Sequence, residues 1–176
     1  MNQYHIQGDI IKLCEHFADR VISTNKDCYK RRKQSNLHKI REDILIGKIA
    51  EWAVYFIYLE RNRTNITPPD MQIYSVEDKS FDSDLRYGLY NLHIKAQTSK
   101  SADQYGDSWI FQAKDPLFEY PSEYDIIIGC NVSADMFSTY HVEILLEKPF
   151  QSLIFGEARL SKFGGNKKAV YLKDNE

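Results

Sequence analysis

The chain has 176 residues, enough for one compact domain with its own core. Hydrophobic residues make up 43% and charged residues 27%, a soluble globular balance, and no apolar run approaches the roughly 18 residues of a membrane span. The formal charge of −2 announces no polyanion partner, and Cys14, Cys28 and Cys130 fit no metal or redox spacing. With a polar N-terminus, three cysteines suggest reduced thiols in a cytoplasmic protein.

Ile10, Leu13, Phe17 and Val21 recur at helical spacing, so residues 9–28 read as a helix with Asp9 as a plausible N-cap. Tyr29 to Lys33 forms a basic connector. A second helix follows over 35–61, with Ile40, Ile44, Gly47, Glu51, Val54 and Tyr58 on one face. Pro68-Pro69 closes this half. Met71–Val76, Asp84–Tyr90 and Leu92–Thr98 read as strands, the last two joined by a turn near Gly88 to Asn91. Residues 99–107 are polar and loop-like. Ser108–Gln112, Asp125–Val132 and Phe137–Leu146 are further strands, and Asp125–Cys130, apolar on both sides, suits a central, doubly covered position. Helices first and strands after predict an α/β or α+β fold around one sheet.

Charge is unevenly distributed. Residues 26–48 carry eight Lys or Arg against three acids, whereas residues 115–147 carry seven acids and no Lys or Arg. One basic and one acidic face would let the protein bind a polyanion despite its mean charge. Lys30, Arg31, Arg32 and Lys33 could neutralise phosphates, with Gln34 and Asn36 able to read base edges. The stretches Lys100 to Ser108 and Lys162 to Lys168 are further candidates for groove-reaching loops.

Three stretches carry the candidate chemistry. Glu51 falls on the apolar stripe of the long helix, where a carboxylate needs a metal or a basic partner such as Lys48 or Lys95. Asp82 and Asp84 alternate onto one side of an extended chain, and either could be a hard oxygen ligand. His93, Lys95 and Gln97 share one face of the next strand, opposite Leu92, Ile94 and Ala96. A lysine there could orient an attacking water or stabilise charge on a phosphate. His5, His16, His38 and His141 lack a comparable context.

Taken together, Gly47-Lys48-Ile49-Ala50-Glu51, Asp82-x-Asp84-Leu85, His93-Ile94-Lys95-Ala96-Gln97 and Ser108-Trp109-Ile110-Phe111-Gln112 resemble the PD-(D/E)xK nuclease superfamily, over residues 36–132. The likeness is greatest to its small restriction-endonuclease-like members. It implies a single α/β domain with a central mixed β-sheet flanked by helices. Residues 1–35 would be an N-terminal helical and basic segment, 36–132 the catalytic core and 133–176 a C-terminal strand and basic tail.

The resemblance makes Glu51 the helix acid, Asp84 the strand acid, Lys95 the lysine and Gln97 the polar residue after it. His93 stands where the family has a second strand acid. An imidazole can ligate a divalent ion but brings no negative charge and favours a softer metal. His93 is therefore a metal ligand beside Asp84, Glu51 and Asp82, a general base, or the mark of a weakened site. The implied activity is Mg²⁺-dependent hydrolysis of duplex DNA, with Mn²⁺ as the alternative ion, by a homodimer. A catalytically silent nucleic-acid-binding or assembly module on the same fold is the competing reading. Neither reading implies a small-molecule cofactor or a membrane.

Overall fold

The computed structural model describes residues 2–31, 36–75, 82–159 and 166–176, with the side chains of 27–31 left outside the description. It is an α/β structure. A five-stranded mixed sheet contains β1 (Gln3–Ile6), β2 (Leu85–Tyr87), β3 (Tyr90–Thr98), β5 (Asp125–Ala134) and β6 (Tyr140–Pro149), in the order β1-β6-β5-β3-β2. Only β3 and β5 run parallel; every other pair in this sheet is antiparallel. A smaller antiparallel sheet joins β4 (Ser108–Gln112), β7 (Phe155–Glu157) and β8 (Lys167–Tyr171) in the order β4-β8-β7.

The expected central strand is found, since β5 lies between β6 and β3. Its two faces are covered by different layers. Ile128, Cys130 and Val132 pack with Leu92 and Ile94 of β3 against helices α1 (Asp9–Arg31) and α2 (Leu37–Glu60). Ile127 points the other way, into a second cluster with Trp109, Phe111, Leu146, Phe150 and Val170. A Cβ on Gly129 would stand 2.5 Å from Trp109 Cε2, so this position of β5 admits no side chain. Trp109 Nε1 then donates to Cys130 O, satisfying the indole that lies there.

Several boundaries move. Gly8, at φ +63, turns the chain out of β1, and α1 begins at Asp9 itself, kinks at Asn25, whose backbone is non-helical, and ends at Arg31. Asn36 Oδ1 accepts from Lys39 N and caps α2; Asn62, at φ 58, follows its end in the left-handed region that Asn tolerates. The predicted single stripe on α2 is too narrow. Leu45, Ile49, Ala50, Glu51, Ala53, Val54, Ile57 and Tyr58 are all buried, because α2 is held between α1 and the sheet. Residues 71–75 form no strand. The expected loop at 99–107 contains a helix, α3 (Ser99–Tyr105), whose N-cap Thr98 accepts from Ser101 N. Ser108–Gln112 is a strand, as expected, but belongs to the second sheet. The hairpin after β5 turns on Asp135, whose Oδ1 accepts from Phe137 N and Thr139 N, so β6 starts at Tyr140. Among the described helices, none is long and apolar enough to cross a membrane.

Candidate active site

β2 begins only at Leu85, opposite Leu92, so β3 has no β2 neighbour beyond Leu92. At this free edge the backbone amide of Ile94 donates to Asp84 Oδ2, at 2.7 Å, which ties the start of β2 to β3. Glu51 comes to the same place from α2. It is buried, and its Oε2 accepts from Lys48 Nζ at 2.6 Å. Burial pushes the Glu51 carboxyl up to about 8; Asp84 adds to the rise, Lys48 opposes it, and Asp70 contributes a further negative charge.

Asp70 was not anticipated from sequence. It lies in the irregular segment after Pro68-Pro69 and accepts from Tyr74 Oη and Gln72 N. These bonds and Lys48 hold it below the usual carboxylate range, against burial. Lys48 Nζ also donates to Asp70 O at 2.9 Å. One ammonium therefore serves both Glu51 and Asp70. Asp82 is exposed and acts electrostatically on Tyr74, beside Asp70. Between Asp82 and Asp84, Ser83 Oγ is buried with no hydrogen-bond partner among the described residues. Phe81 lies outside them.

His93 is placed elsewhere. It sits on the β3 face turned away from α2, with Nε2 3.2 Å from Asp125 Oδ1. Asp125 is buried at the start of β5 and also accepts from Asn91 Nδ2 and Ser122 N. Against the cost of burial, the bonds from Ser122, Asn91 and His93 hold this carboxyl below its ordinary value. The structure thus brings Glu51 and Asp84 together and seats His93 in a separate His–Asp pair. Asp125 also escaped the sequence reading, which had assigned it only to a strand.

Lys95 lies one residue beyond the amide that Asp84 accepts. Its ammonium stands 4.8 Å from the centroid of the Phe111 ring and forms no salt bridge among the described residues. Gln97, also buried, accepts from Ser108 N and donates to Gly106 O; its amide is committed to holding β4 against β3. Lys95 and Gln97 line a cleft of about 270 Å³ between α2, the free edge of β3 and the outer face of the small sheet. Among the described residues, no group of three or more His, Cys, Asp or Glu has metal-holding geometry.

Of the predicted nucleic-acid contacts, Arg32, Lys33 and Gln34 lie outside the described residues, as do the side chains of Lys30 and Arg31. Asn36 spends its side-chain oxygen on the α2 cap. Comparisons with family models, with curated proteins and with solved structures found no match.

Proposed function

We propose that the chain is a divalent-metal-dependent phosphodiesterase, a restriction-like endonuclease acting on duplex DNA as a homodimer. The observation that carries this reading is the approach of Glu51, from a helix, to Asp84, at a strand start bonded to the β3 edge one residue before Lys95. The donor chemistry suits Mg²⁺, which prefers carboxylate oxygens and retains several waters. Two features fit a cation here: the mutual repulsion of Glu51 and Asp84, and the unpartnered Ser83 hydroxyl next to Asp84.

Glu51 and Asp84 would hold the ion, with Asp70 and Asp82 adding negative potential. A bound Mg²⁺ supplies Lewis-acid polarisation of a phosphoryl oxygen. Lys95 would orient water or stabilise the charge that develops on the phosphate. Lys48 already bonds to Glu51 and would have to shift as the ion enters. His93, held by Asp125, favours a role as base or structural partner over ligation beside Asp84.

The same His93 placement favours one second reading, a nucleic-acid-binding module without catalysis. Incubating the protein with mixed-sequence duplex DNA and Mg²⁺ or Mn²⁺, beside Lys95→Ala, separates the two. Cleavage by wild type alone is the expected result. DNA left equally intact by both proteins refutes the enzyme. RNA offered in the same assay tests the choice of substrate.

A further inference from the structure

The cleft beside Lys95 has a charge pattern unlike the protein as a whole. Its lining includes three cations, Lys39, Lys95 and Arg159, and one carboxylate, Asp43, in a chain whose formal charge is −2. Asp43 is occupied by Lys39, at 2.5 Å. Lys95 and Arg159 are left with no carboxylate partner among the described residues.

Both are nonetheless held in place. Arg159 Nη1 donates to Tyr105 O at 2.9 Å, its guanidinium lies 4.5 Å from the Tyr171 ring centroid, and its backbone N–H donates to Tyr171 Oη. Tyr171 Oη in turn donates to Glu157 O, fixing the ring. Lys95 is seated over Phe111. Cations positioned on rings, with donors left over and no internal anion, are preorganised for an external one. Arginine suits phosphate best, because its planar fork offers several donors at once. A further cation outside that lining, Lys167, enters β8 opposite Gln112; burial, and then the charge of Lys95, hold it below the usual lysine range.

We propose that the cleft is a phosphate-binding track for a nucleic-acid strand, with Arg159 as a substrate-positioning residue that grips a backbone phosphate while Lys95 faces its neighbour. This rests on the nuclease reading for the identity of the polyanion. The phosphate geometry itself requires only the cleft and its cations. Arg159 occupies a C-terminal segment beyond the stretch that resembles the nuclease family.

The test is binding, separate from cleavage. A short fluorescein-labelled DNA duplex is titrated with wild type, Arg159→Ala, Arg159→Gln and Lys12→Ala, without divalent metal, over a range of salt. Arg159→Gln keeps a donor for Tyr105 O, and thermal melts check each fold. Arg159→Ala and Arg159→Gln are each expected to weaken binding about tenfold. Each should also lower the salt slope by about 0.9, the signature of one lost phosphate contact. Lys12, exposed and paired with Asp9, should matter little. Unchanged affinity and slope in the Arg159 variants overturn the proposal, as does a wild type that does not bind the duplex. A protein that binds through Arg159 but never cleaves keeps this track and loses the nuclease; one that cleaves with no dependence on Arg159 loses only the track.

Discussion

Replacing Glu51 by Gln should change the pH dependence of stability in a direction set by its surroundings. The carboxyl rises from 4.5 to about 8 in the folded protein. At about 1.4 kcal/mol per unit, ionising it without metal costs at most about 5 kcal/mol, with the pull of Lys48 already included. Between these two values the folded state keeps a proton that the unfolded chain has released. Stability therefore falls as pH rises from about 4.5 to about 8, then levels off. Glu51→Gln carries no such proton and should lack that slope, becoming the more stable protein at alkaline pH in the absence of metal. Mg²⁺ should reverse the order, since only the carboxylate form gains from the ion. Urea denaturation from pH 5.5 to 9, with and without Mg²⁺, reads all three effects. Wild-type and Glu51→Gln curves that stay parallel to within about 0.5 kcal/mol would refute both the placement of Glu51 and its role.

Gly129→Ala should cost about 1–3 kcal/mol and shift tryptophan fluorescence, because the added Cβ meets the Trp109 ring at 2.5 Å; an unchanged melting temperature would contradict this. Glu147→Gln weakens the anchor of Tyr58, Arg61 and Arg63 and should cost about 2 kcal/mol at neutral pH. Because Glu147 is held below its ordinary value despite burial, that difference should vanish as the solution is acidified through its folded pKa; a loss constant with pH argues for packing alone. His93→Asp sets a carboxylate against buried Asp125. It should destabilise the fold by about 2 kcal/mol at pH 7 and less at pH 4, and equal stability at both would deny the His93–Asp125 contact.

Local signals carried the sequence reading well where one residue type had one outcome. The apolar run Asp125–Cys130 gave the central strand, and the alternation of 92–97 gave two distinct faces. Signals failed where tertiary contacts decide. Residues 99–105 are polar, yet a Thr98 cap and contacts with β3 and β5 accompany a helix there. The small sheet was invisible as a unit because β4 and β8 are more than 50 residues apart, and their pairing rests on Trp109, Phe111 and Val170 sharing a core. At the site, Glu51 betrayed itself as an acid on an apolar stripe. Asp70 gave no such sign, since only the fold of an irregular segment brings it to Lys48.

The charge blocks of the sequence tell a related story. Among the described residues, many members of the basic and acidic runs are neutralised locally. Lys39 meets Asp43, Arg41 meets Asp19 and Lys48 meets Glu51; Glu147 holds Arg61 and Arg63, and Asp125 holds His93. What the fold leaves unneutralised is more telling than what the composition contained. Around the buried Glu51 carboxyl, Asp84 and Asp70 add negative charge that Lys48 alone opposes among the causes of its shift. One residue beyond Ile94, whose amide donates to Asp84, a cleft begins whose Lys95 and Arg159 lack carboxylate partners among the described residues. An excess of negative charge attracts a metal ion, and an excess of positive charge attracts a phosphate. The proposed chemistry on a phosphodiester would need both within one substrate's reach.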